Sequence, residues 1–183
     1  MLITISGLPG SGKTTVARLL SNRLHIPHVY AGDIFRQEAN ARGLTLAEFN
    51  ALAERDHSID RTLDDKMAEA ARRGGVILEG RLAGFVALQE AVDALKVWLT
   101  ASDAVRAQRV SQREGHVSAT VLQQNMARQR SDAKRYREIY GFDLNDVTLY
   151  DLVLNTDHQG PEELAAQILT RAKERFGPAA VRT

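Results

Sequence analysis

The chain's 183 residues hold 24 Lys and Arg against 23 Asp and Glu, a formal net charge of +1, and 44% of them are hydrophobic. This length suits one domain that buries well over half of its unfolded surface, and the balanced charge supplies no overall attraction to nucleic acid or to an anionic membrane. There is no Cys, and the five His lack an HExxH spacing, so disulfides, thiolate metal centres and a zinc site of that type are excluded.

In chain order, residues 2–6 (LITIS) read as a short buried strand rather than a leader. No later apolar run approaches the roughly 20 residues of a membrane span. A cytoplasmic protein with no membrane partner is expected. The strand enters Gly7-Leu8-Pro9-Gly10-Ser11-Gly12-Lys13-Thr14-Thr15, a complete GxxxxGK[ST] loop, and a helical pattern follows over 14–24. The residue types follow from the task of holding phosphate. Glycines let backbone N–H groups turn inward, and the helix N-terminus adds a favourable dipole. Lys13 reaches the β- and γ-phosphates, and the Thr14 hydroxyl is placed to ligate Mg²⁺.

A second strand is predicted over 29–31, then a helix opened by Asp33 and closed near Gly43, with Arg36 one turn beyond Asp33. Thr45 and Ser58 read as N-caps of two further helices, the second placing Ile59, Leu63 and Met67 on one face. "GGVILEG" is a buried strand with Glu79 at its C-terminal end, where parallel α/β sheets place ligand chemistry; from there Glu79 is expected to hold Mg²⁺ through water. Gly80 and Arg81 follow directly. "LKVWLTA" is the next strand, and helices are predicted over 102–113 and 120–140 with the polar break "EGHVSAT" between them. "DLVLNT" is a last strand, followed by a helix over 161–176. Strands alternating with helices predict a three-layer α/β fold around a parallel sheet.

From Arg106 to Arg137 there are seven Arg and one Lys against Glu114 and Asp132. Arg109 and Arg113 are four apart, and Arg130, Lys134 and Arg137 fall at i, i+4 and i+7, on one helical face. Cations facing one way call for an anion between them. Transfer of a phosphoryl group to an alcohol benefits from a carboxylate base, whereas a phosphate acceptor is already an anionic nucleophile. An arginine surplus without an obvious base therefore points to phosphorylation of a nucleoside monophosphate. A GTPase is disfavoured because "NTDH" at 155–158 lacks the lysine of NKxD. Another small kinase, acting on AMP or on a metabolite hydroxyl, stays open. A nucleic-acid-binding ATPase is opposed by the near-neutral charge and by the lack of interleaved aromatics.

The stretches "ISGLPGSGKTT", "AGDIFR", "IDRTLDD", "VILEGRLAG", "VRAQRVSQREG", "RQRSDAKRYREIYGFD" and "YDLVLNTD" together resemble the short, archaeal-type branch of the cytidylate kinases, collinearly from Met1 to about Phe176. The resemblance implies a P-loop nucleoside-monophosphate kinase fold with a five-stranded parallel sheet. It implies one domain over 1–183, with a core of about 1–32, 74–108 and 141–183, a helical acceptor insert of about 33–73 and a short lid of about 109–137. By position, residues 7–15 resemble the donor-phosphate loop. Asp33, Arg36, Gly80 and Arg81 fall on acceptor contacts, and Arg109, Arg113, Arg130, Lys134 and Arg137 on lid and catalytic cations. The implied reaction is ATP with CMP or dCMP giving ADP with CDP or dCDP, with Mg²⁺, by a monomer with no nucleic-acid partner. "GRLAG" stands where adenylate and uridylate kinases carry "GFPR", which disfavours both. Phe85 takes the place of the usual Trp. Asp60 and Asp64 fall at acceptor-helix positions, and a carboxylate suits the exocyclic amine of cytosine.

Overall fold

Short apolar strands fix the centre of the molecule, because each must cover both of its faces. The computed structural model describes residues 1–114 and 118–181, and the side chains of these other than residues 113–122, 124 and 125. The strands are β1 (Leu2–Gly7), β2 (His28–Tyr30), β3 (Val76–Glu79), β4 (Leu95–Thr100) and β5 (Leu152–Asn155). They form one sheet in the order β2-β3-β1-β4-β5, with every neighbouring pair parallel. β1 is central and buried along its whole length. Its residues alternate between the faces as the pleat requires. Ile3 and Ile5 join a cluster with Val16, Leu20 and Ile168, while Leu2 joins one with Leu78, Phe85, Trp98 and Tyr136.

Helices cover both faces. α1 (Lys13–Leu24) and the C-terminal α8 (Pro161–Phe176) pack on the first cluster, and α8 has the predicted bounds. α2 (Ala31–Ala41), α3 (Leu46–Ala53) and α4 (Ser58–Arg73) form an excursion between β2 and β3. α6 (Asp103–Glu114) and α7 (Ser118–Tyr140) follow β4. Among the described residues no helix is long and apolar enough to cross a membrane.

Three expectations change. α2 starts at Ala31, directly after β2, so Asp33 lies in its first turn instead of capping it; a carboxylate there still favours the helix dipole. α4 is not capped by Ser58. Asp56 Oδ1 accepts from Ser58 N at 3.0 Å and from Ser58 Oγ at 2.6 Å, so an aspartate turn opens the helix. An unpredicted helix, α5 (Ala83–Gln89), follows the turn after β3. Its seven residues, AGFVALQ, are too short and too uniformly apolar to show a helical period. α5 meets β1 closely: Gly84 N donates to Ser6 Oγ at 3.1 Å, and a Cβ on Gly84 would come within 2.5 Å of the Tyr150 ring.

The excursion α2–α4 holds itself together. Thr45 caps α3 as predicted, in a capping box with Glu48: Glu48 N donates to Thr45 Oγ1 at 3.2 Å and Thr45 N to Glu48 Oε2 at 2.8 Å. Ala39, Phe49, Ala53 and Ile59 make a small buried cluster of their own, and the Phe35 and Phe49 rings meet at 4.6 Å. Phe49 is fully buried there. Truncating it to Ala removes the largest apolar group of that cluster, at an expected cost of about 3–5 kcal/mol. Amide hydrogen exchange is expected to accelerate across α2 and α3 while β1 and β4 keep their protection.

Candidate active site

The loop between β1 and α1 depends on backbone shapes that glycine adopts without strain. Gly7, Gly10 and Gly12 have φ of 144°, 81° and 89°. A Cβ on Gly10 would collide with the Arg106 backbone of α6, so loop and helix touch main chain to main chain. Gly12 occupies the N-cap of α1, and among the described residues no side chain caps that end. The first amides of α1 are thus left for an anion. Pro9, Gly10, Gly12, Lys13, Thr14 and Thr15 line an open cavity of about 870 Å³. Gly7, Leu8 and Ser11 lie behind it and shape it. The Leu8 carbonyl accepts from Lys13 Nζ at 2.8 Å, and the Ser11 carbonyl accepts from Thr156 Oγ1 at 3.2 Å. Burial pushes the Lys13 ammonium down to about 7. Arg81, Arg128 and Arg106 push it the same way, against the attraction of Glu79.

Thr14 and Glu79 meet beside the loop. Thr14 Oγ1 donates to Glu79 Oε1 at 2.6 Å, and the other carboxylate oxygen, Oε2, lies 2.9 Å from His28 Nε2. A hydroxyl and a carboxylate beside a phosphate loop suit Mg²⁺, which takes one or two protein oxygens together with phosphates and water. Among the described residues there is no group of three or more His, Cys, Asp or Glu that would hold a metal without substrate. His28 was not singled out by the sequence, because its closeness to Glu79 depends on the pairing of β2 with β3.

Among the described residues seven cationic side chains line the cavity, against three carboxylates, Asp60, Glu79 and Asp132. The carboxylates are all engaged. Asp132 is fully buried and ion-paired with Arg81 on one side, and it accepts from Arg135 Nη2 at 2.8 Å on the other. Arg135, itself 2% exposed, donates from Nε to Asp60 Oδ2 at 2.8 Å and from Nη1 to Ser131 Oγ at 2.7 Å. Burial raises Asp60 above its ordinary range, against the attraction of Arg135. This chain of alternating charge joins the turn after β3, the helix α7 and the excursion helix α4. Arg128 also lines the cavity; the Arg81 guanidinium, reinforced by burial, pushes it down to about 10. At the opposite end Arg109 donates to Thr156 Oγ1 at 2.7 Å and to the Thr156 carbonyl at 2.6 Å, beside Gly12.

The remaining expected residues are placed as follows. Gly80 and Arg36 line the cavity, Arg36 held by Asp33 at 2.5 Å and over the Tyr30 ring at 5.0 Å. Asp33 itself does not line it. Asp64 lies outside, hydrogen-bonded by the Tyr140 hydroxyl in a second groove; burial pushes it up to about 7. Arg130, Lys134 and Arg137 line no part of the cavity. They project from the exposed side of α7, where Arg137 pairs with Asp143 at 3.0 Å. The inward face is the one carrying Arg128, Asp132, Arg135 and Tyr136, because Tyr136 packs into the core and sets the rotation of the helix. The buried aspartate between two arginines was the available signal, and counting charge alone passed over it. The Arg113 side chain and residues 115–117 of the break lie outside the described residues; the backbone of α6 runs to Glu114 and that of α7 begins at Ser118, so helix takes in both ends of the expected break.

A sequence profile of the cytidylate kinase-like family matches residues 2–158. The cytidylate kinase of Halobacterium salinarum is 47% identical over 170 residues, 92% of this chain and 88% of that protein. That of Methanopyrus kandleri is 48% identical over 170 residues, 89% of this chain and 88% of that one. A shikimate kinase structure from Bacteroides thetaiotaomicron superposes with a TM-score of 0.62 at 15% identity, covering 96% of this chain and 98% of that one, a likeness of fold.

Lys13 supplies a test of the phosphate site. Between about pH 7 and 10.5 the unfolded chain holds a proton that the folded protein has released, so this group makes folding more favourable as pH rises through that window. A bound triphosphate restores the charge. At about pH 8.5, ATP binding is expected to take up close to one proton. Calorimetry in two buffers of different ionisation enthalpy reads that uptake, and Lys13→Met is expected to abolish it.

Proposed function

The chain belongs to the cytidylate kinase-like family, and from that premise we propose that it transfers the γ-phosphoryl group of ATP to CMP or dCMP, giving ADP and CDP or dCDP. The observation that carries this reading is the apposition of Arg81 and Arg128 beside Lys13. Such a cluster is unfavourable in isolation and becomes favourable when two phosphate groups enter it.

In this reading the phosphate loop and Lys13 hold the donor, and Arg109 with Thr156 closes its far side. Arg36 and Arg81 receive the acceptor phosphate. An oxygen of that phosphate attacks the γ-phosphorus in line; the bond to the β–γ bridging oxygen breaks, and its electron pair leaves with ADP. Lys13, Arg81 and Arg128 meet the charge that spreads over the moving group's oxygens. No side chain has to remove a proton, in keeping with carboxylates that are all committed to other partners. Thr14, and Glu79 through water, would hold Mg²⁺, which supplies charge neutralisation at the phosphates when bound. Asp60 reads the base: its carboxylate accepts from the exocyclic amine of cytosine, where uracil offers only a carbonyl. A role in pyrimidine nucleotide supply, in the cytoplasm and as a monomer, belongs to the same proposal.

A coupled assay across CMP, dCMP, AMP, UMP, GMP and shikimate with Mg·ATP is expected to give the highest kcat/KM for CMP and dCMP. AMP or shikimate as the best acceptor would overturn the reading while leaving phosphoryl transfer intact. The two faces of α7 separate the cations. Arg128→Ala is expected to lower kcat by about 10²–10³, whereas Arg137→Ala keeps kcat near wild type because its partner is Asp143 at the surface.

A further inference from the structure

β2 is a three-residue strand at the sheet edge, and none of its residues is fully buried. Little in its packing demands a histidine. His28 pairs with Ile77 and Tyr30 with Glu79 in the parallel register, so His28 and Glu79 project from the same face as diagonal neighbours. His28 Nε2 lies 2.9 Å from Glu79 Oε2, and the imidazole stacks on Tyr30 with centroids 6.0 Å apart and planes 11° apart. The ring is thereby held flat against one neighbour and aimed at another. A carboxylate only accepts, so Nε2 is the donor.

We infer that His28 is a positioning residue for Glu79, holding its carboxylate in the orientation that meets a divalent cation at the Thr14 hydroxyl. Glu79 is fully buried, and among the described residues each of its oxygens has one partner. Thr14 spends its single proton on Oε1, which leaves the hydroxyl lone pairs free for the cation. Without His28, Oε2 loses its donor inside the protein, and the carboxylate turns or draws in water to recover one. Outer partners of this kind typically change metal affinity by about 10–100-fold. The inference rests on the reading that Thr14 and Glu79 hold Mg²⁺.

Mn²⁺ titrated into the protein–ADP complex and followed by electron paramagnetic resonance reads the effect without turnover. His28→Phe keeps a ring against Tyr30 and removes the donor; it is expected to weaken Mn²⁺ binding by about tenfold. His28→Gln, whose amide nitrogen reaches where Nε2 stood, is expected to recover most of that loss. Glu79→Gln is expected to weaken binding on its own, and adding His28→Phe to it is expected to change nothing further. Thermal unfolding reports whether each variant folds. If the Phe variant does not, His28→Asn serves as the donor-deficient variant, its amide being too short to reach Glu79. Unchanged affinity in the donor-deficient variant, a loss that adds to that of Glu79→Gln, or failure of Gln to rescue would overturn the inference. Should Glu79→Gln also leave Mn²⁺ affinity unchanged, the metal-site reading itself falls. A loss with Glu79→Gln alone would leave that reading standing and remove His28 from it.

Discussion

Positive charge gathered round a phosphate cradle is the constraint under which the rest of this molecule is built. Two like charges about 4 Å apart repel by about 4 kcal/mol at the effective dielectric of a protein surface. Burial first, and then Arg81, Arg128 and Arg106, lower the affinity of Lys13 for its proton, and Arg81 acts in the same sense on Arg128. Such a cluster stays folded only if counter-charge is placed where it balances the arginines without filling the space meant for phosphate. Asp132 meets that condition: it is fully buried and shared by Arg81 and Arg135. Glu79 does the same for Lys13 from the other side.

The balancing groups are distributed over separate parts of the chain, and this gives them a second effect. Arg135 on α7 is held by Asp60 on α4, and Asp132 on α7 is held by Arg81 after β3. Removing one member of such a buried network leaves its partner charged and unsatisfied, which costs far more than the net worth of the pair. The electrostatic frame therefore also fixes how the excursion α2–α4 and the helix α7 approach the sheet. The groups that position the cations are the groups that position the walls.

What the sequence discloses about such a site depends on how local the determinants are. The loop from Gly7 to Thr15 and the pair Glu79 and Arg81 are legible because a strand, a turn and a helix start dictate them within a few residues. The rotation of α7 is not local. It is set by Tyr136 packing in one cluster with Phe85 and Phe142, so the exposed set Arg130, Lys134 and Arg137 and the inward set Arg128, Asp132 and Arg135 have equally good spacing on paper. Asp60 and Asp64 share a helical face by the same rule, yet one turn carries Asp64 beyond the cavity rim to Tyr140. His28 reaches Glu79 across a strand pairing, and α5 is too short to display a period. These were the places where long-range contact, and not residue pattern, decided the outcome.

The private cluster of Ala39, Phe49, Ala53 and Ile59 carries a consequence for substitution. Its four buried residues belong to neither of the two clusters that sandwich the sheet, so a change confined to them reaches the phosphate loop only through the helices that carry them. A change confined to those four side chains alters the excursion locally, whereas one at Asp60 or Met67 in the same excursion reaches the charge chain to Arg81 or the core under the sheet. The division lies in which side chains touch.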